Sequence, residues 1–195
     1  IDSKILHTDL TNDYFVGRLC NREIEKIKSI DIDLQLEFFM KMAVEFDGEV
    51  TKSSYPKLLR KLPYQSNEIL EKLKGHPLID YNRDILIFRY DFFKEYFINL
   101  YLSQFFIQKN ISDFDENIQE LLLEYIKYDN TFTKNICQRI GFDEELQLFI
   151  IELIEQVISK LIEKENYNDR RLISSLLSIL LLSLNLSSNK NDIEN

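Results

Sequence analysis

The sequence predicts a mainly α-helical protein interrupted by one small β-hairpin. Only 4 Gly and 3 Pro occur among 195 residues, too few for a loop-built all-β fold, whose turns draw on both for their backbone angles. Apolar residues recur at steps of three and four along most of the chain, the period of an amphipathic helix. Between Leu78 and Phe88 the pattern changes to two short apolar runs around a turn-forming triplet, which marks a hairpin.

Taken in order, Asn12 and Asp13 suit the cap of a helix through Tyr14, Phe15 and Leu19 to about Lys28, and Ser29 to Asp33 breaks it. A second helix starts near Asp33, carries Phe38, Phe39, Met42 and Phe46 as its apolar stripe, and stops at Asp47-Gly48. A short extended piece around Val50 leads to Ser54, read as an N-cap, with Pro56 in the first turn where no N–H is needed. Leu58, Leu59 and Leu62 supply that helix's buried face before Pro63 ends it. Ser66 opens a further helix with Glu68, Ile69, Leu70 and Leu73, closed by Gly75 and Pro77. In the hairpin, Leu78 to Tyr81 and Ile85 to Phe88 flank Asn82-Arg83-Asp84.

Beyond it the chain reads as helix throughout. One helix runs from Asp91 to about Gln108, and the next carries Ile118, Leu121, Leu122 and Tyr125. A shorter one with Phe132, Ile136 and Ile140 ends at Gly141. A wide stripe follows from Leu146 through Phe149, Ile150, Leu153, Ile154, Val157 and Ile158 to Leu161, with Asp143 and Glu144 before it and Lys160 and Lys164 after, matching the helix dipole. Asn168 or Asp169 caps a last helix whose Leu and Ile positions nearly encircle it, so it is expected to be sandwiched between neighbours.

Three compact helices followed by a hairpin is the order of a winged helix, the hairpin being the wing. The expected organisation is a helical leader over 1–32, a winged-helix domain over 33–110, a C-terminal helical bundle or arm over 111–187 and a disordered tail over 188–195. Its best internal boundary is Ile111-Ser112-Asp113.

A formal net charge of -9 repels phosphate backbones and anionic lipid at long range, so nucleic acid is not an expected partner. Leu172 to Leu186 is broken by serines and falls short of the ~20 residues that span a bilayer. No membrane partner is expected, and a cytoplasmic setting is. The chain starts at Ile1, as an excised piece of a longer protein would. Cys20 and Cys137 have neither disulfide nor zinc spacing and read as buried small hydrophobes.

Catalytic constellations are missing from the pattern. The four glycines precede Arg18, Glu49, His76 and Phe142, so no Gly-Lys-Ser/Thr loop exists to cradle phosphates, and no enzyme is expected in this chain. His7 and His76 have no nucleophile at recognisable spacing, and His76 reads as a turn residue. Asp113, Asp115 and Glu116 lack the glycine of a calcium loop, so no metal site is expected. A DNA-binding winged helix would use Arg60, Lys61, Lys72 and Lys74 on phosphates, but Glu68 and Glu71 share that helix. A helical protein-interaction scaffold is the third reading, using the 146–161 stripe or the aromatic cluster from Phe88 to Phe106.

That cluster carries a resemblance. The run Phe88-Arg89-Tyr90-Asp91-Phe92-Phe93-Lys94-Glu95-Tyr96-Phe97 resembles the F-x-H-x-x-F-x-E-Y-F pattern that follows the winged-helix hairpin of NACHT-type NTPases, members of the STAND class of signalling switches. Arg22-Glu23 with Asp33 to Phe46 resembles the stretch before that domain, and His76-Pro77-Leu78-Ile79 the opening of its wing. The likeness covers Leu19 to Leu102, and Arg170-Arg171-Leu172-Ile173 is similar in character to the helical region beyond.

The resemblance implies that His76, Phe88, Arg89, Asp91, Phe93, Glu95, Tyr96 and Phe97 form a wing and hinge motif. In the family the motif's histidine approaches the nucleotide phosphates and holds the closed, ADP-bound state. Tyr90 stands there instead, and a phenol donates a hydrogen bond but carries no positive charge at neutral pH. The resemblance makes Tyr90 the nucleotide-sensing candidate and the chain a non-catalytic regulatory and relay segment. The parent would resemble a P-loop ATPase using ATP or ADP with Mg, acting in bacterial antiphage defence or signalling. The implied partners are the upstream nucleotide-binding module of the same chain and further copies on activation.

Overall fold

A computed structural model describes residues 13–60, 67–163 and 166–191. The protein is mainly helical with a small antiparallel sheet, and it divides into two compact units, residues 1–98 and 99–195.

In the first unit, α1 (Asp13–Glu25) turns Val16, Cys20 and Ile24 inward at four-residue steps. α1 is therefore part of the unit's core and not a leader outside it. α2 (Ile32–Glu45) starts one residue before Asp33 and is capped by Asp31, whose carboxylate accepts from the N–H of Asp33 at 2.9 Å and of Leu34 at 3.3 Å. Its Leu34, Phe38, Phe39 and Met42 are buried. Asp47 and Gly48, both at positive φ, end it, and the Gly48 N–H donates to the Met42 carbonyl.

Strand β1 (Glu49–Thr51) and a 3-10 turn (Lys52–Ser54) lead to α3 (Tyr55–Leu59), with Pro56 in its first turn. Ser54 precedes α3, but its hydroxyl makes no cap bond and lies 3.3 Å from that of Thr51. The expected helix end at Leu62-Pro63 and the cap at Ser66 lie outside the described residues, as do Asn12 and Lys164. α4 (Asn67–Leu73) buries Ile69, Leu70 and Leu73.

The hairpin of β2 (Ile79–Asn82) and β3 (Ile85–Phe88) pairs Asn82 with Ile85, leaving Arg83 and Asp84 as a two-residue loop. Both have positive φ, the geometry of a type I′ turn, which matches the twist of the flanking strands. The piece around Val50 is a strand in its own right: β1 pairs with β3 through Glu49–Ile87, Val50–Leu86 and Thr51–Ile85, giving the order β1-β3-β2. α5 (Asp91–Gln108) follows at once.

The second unit contains the later turns of α5, then α6 (Glu116–Tyr125), α7 (Thr131–Ile140), α8 (Glu144–Glu163) and α9 (Tyr167–Asn191). Asp115, Asn130 and Asp143 cap the starts of α6, α7 and α8 through side-chain oxygens that accept backbone N–H bonds. α9 packs on α6, α7 and α8. Its Leu172, Leu176 and Ile179 are buried, but Leu177 and Leu181 are exposed, so it is not sandwiched on every side. The α8 stripe is likewise narrower than its sequence pattern, because Ile158 faces solvent.

The units divide inside α5 and not at Ile111–Asp113. That break is a single 3-10 turn, beyond which Phe114 stacks on Phe105, and Phe105 and Phe106 both meet Phe149. α9 also continues to Asn191, into the stretch read as tail. Among the described residues no helix is long and apolar enough to cross a membrane.

Candidate functional site

The residues of the wing and hinge motif fall at the junction between the hairpin and α5, in the first unit. Its alternating exposure follows from the strand period of β3 and then the helical period of α5. Phe88, Phe93, Tyr96 and Phe97 are buried, whereas Arg89, Tyr90, Asp91 and Glu95 face solvent. Phe88 and Phe97 stack at 5.6 Å, and Phe39 of α2 lies 5.2 Å from Phe97. A Cβ on Gly17 would stand 3.3 Å from the Tyr96 ring, so α1 crosses Tyr96 where it has no side chain.

Gly48 serves the same junction from the other side. At φ +82 its backbone turns into β1, its carbonyl accepts the Phe88 N–H at 3.2 Å, and an added Cβ would sit 3.1 Å from the Lys94 side chain and 3.2 Å from the Phe88 ring. Lys94 in turn pairs with Asp47.

Tyr90 is the exposed step of this arrangement. It is 54% accessible, its ring lies parallel to Phe92 at 5.2 Å, and its carbonyl accepts the Phe93 N–H at the start of α5. Arg89 beside it is spoken for: its guanidinium meets the Asp80 carboxylate at 3.0 Å and reaches the Ile79 carbonyl, while its N–H donates to Leu78. Arg89 thus ties the end of β3 across to β2.

His76 is buried to 1% and lies 4.7 Å from the Phe39 ring. Its Nδ1 accepts the Leu78 N–H at 3.1 Å, which fixes the neutral ring's proton on Nε2, and Nε2 has no hydrogen-bond partner among the described residues. Burial pushes the imidazole down to about 4, with Arg89 adding to the effect and Glu23 opposing it. At neutral pH the ring is an uncharged turn element that shapes the start of β2.

Of the residues read for DNA contact, Arg60 and Lys72 are exposed and Lys61 lies outside the described residues. Lys74 pairs with Glu71, which raises its affinity for the proton, and its ammonium rests 4.6 Å from the centre of the Tyr81 ring. Tyr81 donates to Asp84 at 2.6 Å, Lys52 reaches the same carboxylate, and Tyr55 donates to the Asp84 carbonyl. The Asp84 carboxyl is held below its usual range by Tyr81 first and Lys52 second. Lys74 therefore belongs to a network joining α4 to the hairpin tip.

Two buried polar residues to which the sequence reading gave no structural role matter here. Gln35 is fully buried and its amide donates to the carbonyls of Ile24, Ile27 and Ile30, clamping the end of α1 to α2. Glu23, also buried, is held ionised by Lys26 and Arg22. A cavity of about 510 Å³ opens along α1, lined by Phe15, Arg18, Leu19, Asn21, Arg22 and Glu25; no hinge residue lines it. Among the described residues no cluster of His, Cys, Asp and Glu has the arrangement of a metal site, and both cysteines are buried. No known protein family, curated protein or solved structure matches this chain.

Proposed function

We propose that this chain is the winged-helix and helical-arm portion of a nucleotide switch of the NACHT type, a regulatory and relay segment with no catalysis of its own. The reading begins with topology. From α2 to β3 the order is helix, strand, helix, helix, strand, strand, and β1 joins the hairpin's second strand. A winged helix uses this order, and α5 then carries the aromatic motif that resembles the family's.

The single observation that carries the reading is Tyr90. Its motif neighbours Phe88, Phe93 and Tyr96 are buried, while Tyr90 stands exposed at the start of α5, at the position matching the family's phosphate-facing histidine. In the intact parent an upstream ATPase module would hold ATP or ADP with Mg against this edge. Differential contacts in the two nucleotide states would move the wing and arm between closed and open arrangements. The uncharged hydroxyl of Tyr90 would donate one hydrogen bond to a phosphate oxygen, a weaker hold than a cationic imidazolium gives. A cytoplasmic role in bacterial signalling or antiphage defence, with association of copies on activation, completes the proposal.

The test is made in the longer protein that supplies the upstream module. Tyr90→Ala should lower the amount of ADP retained through purification about threefold to tenfold, and Tyr90→His should raise it. ADP retention unchanged in both variants removes Tyr90 from nucleotide sensing. A DNA-binding role gains little support, because Lys74 is engaged with Glu71 and Tyr81. Salt-sensitive duplex binding by this chain, lost in Lys72→Glu, would reverse that ranking.

A further inference from the structure

We propose that Arg89 supplies the positive charge that Tyr90 lacks, by leaving Asp80 for the terminal phosphate of ADP, so that the Arg89–Asp80 ion pair sets how firmly the switch holds its nucleotide. This exchange of partners rests on the nucleotide-switch reading and concerns the same edge of the molecule.

A phosphate brought beside Tyr90 meets an unfavourable surface. Asp91 and Glu95 are both exposed there, one turn apart on α5, and their carboxylates repel the anion that a neutral phenol alone would have to hold. A cation is needed within reach, and the hinge run carries two. Lys94 is committed to the corner between α2 and β1, where it pairs with Asp47 and lies beside Gly48. Arg89 directly precedes Tyr90, so their Cα atoms are ~3.8 Å apart, and its side chain is 41% exposed.

The way Arg89 is held leaves it able to change partners. Its Nε and Nη2 both meet Oδ1 of Asp80, each at 3.0 Å, in place of the two parallel bonds to two oxygens that guanidinium and carboxylate form at best. Nη2 reaches the Ile79 carbonyl only at 3.4 Å, and among the described residues neither Nη1 nor the second Asp80 oxygen has a protein partner. Asp80 is itself 54% exposed, and an ion pair so open to water holds weakly. A terminal phosphate carries more charge than a carboxylate and offers its oxygens to the planar fork, so it competes well for the same guanidinium. The Arg89 backbone stays anchored by its N–H bond to the Leu78 carbonyl at 2.9 Å, and only the side chain has to turn.

Asp80 and ADP therefore compete for one group. While ADP is bound, Arg89 faces its phosphate and the side-chain tie from β3 to β2 is open; when ADP leaves, Asp80 takes Arg89 back and the tie closes. Weakening Asp80 as a competitor tightens the hold on ADP.

The test uses the longer protein that supplies the upstream module, with ADP retained through purification as the readout. Arg89→Gln should lower retention about threefold to tenfold, and Asp80→Asn, which frees Arg89, should raise it about threefold. The double variant should match Arg89→Gln alone, because Asp80 acts only through Arg89. Both single substitutions break the same tie, so a purely structural role moves retention the same way in both; that result, or no response in either, overturns the proposal. Tyr90→Ala measured alongside separates the two readings. If it lowers retention while Arg89 and Asp80 fail the pattern, only the exchange of partners is wrong, and if none of the three substitutions matters the nucleotide-switch reading falls with it.

Discussion

At His76 the ring nitrogen facing Leu78 must accept, so the proton of the neutral ring sits on Nε2, where none of the described residues receives it. The folded ring titrates at about 4 and the unfolded one near 6.5. As pH falls the unfolded chain takes up this proton first, so the contribution of a neutral His76 is complete above about pH 6.5 and is lost progressively toward 4. By pH 4.5 urea unfolding should show a loss of about 2 kcal/mol, and His76→Gln should flatten that window. Glu23, held low by Lys26, adds its own loss as pH falls through the ordinary carboxylate value, where the unfolded chain takes up that proton first. Gln35→Leu removes the amide that bridges three carbonyls, and should cost about 2 kcal/mol by the same measurement. Gly48→Ala meets both a left-handed backbone and the Phe88 ring, and should cost a further about 1–2 kcal/mol.

Among the elements, α7 shows how a short helix is held. Asn130 caps it, and the buried Thr133 hydroxyl both accepts the Lys127 N–H at 3.1 Å and donates to the Lys127 carbonyl at 2.9 Å. Thr133→Val keeps the shape but strands the Lys127 N–H and leaves its carbonyl the longer bond from the Asn130 N–H, and should lower stability by about 1–2 kcal/mol, read as a shift in thermal midpoint. The helices and the hairpin were legible because apolar period and turn residues are local signals. β1 reads only as an extended piece, since three residues are too few to show a period and its partner lies 36 positions away in sequence, Val50 to Leu86. Gln35 looks in sequence like any solvated glutamine. Its role depends on where α1 ends, which is tertiary information. The exposure of Ile158 on α8 and of Leu177 and Leu181 on α9 was invisible for the opposite reason: their spacing is that of a core, and only the fold shows which side finds no cover.

For the molecule as a whole, the division within α5 corrects the expectation of a clean cut near Ile111. Ending the chain at Gln108 would strip Phe105 and Phe106 of Phe114 and Phe149. Such a truncation should bind a hydrophobic dye and aggregate, whereas the full chain should not. The candidate site was legible only in part. The aromatic run identified the junction, but which of its members face outward was decided by the change of period from β3 to α5. The sheet order has one more consequence, for how the protein is made. The central strand is the last of the three to be synthesised, so a nascent chain that has released β1, α3 and α4 still lacks the ladder that completes them. Ribosome-bound chains halted before Ile85 emerges should be cut readily by protease around Glu49 to Arg60, and become resistant once Phe88 is free to pair.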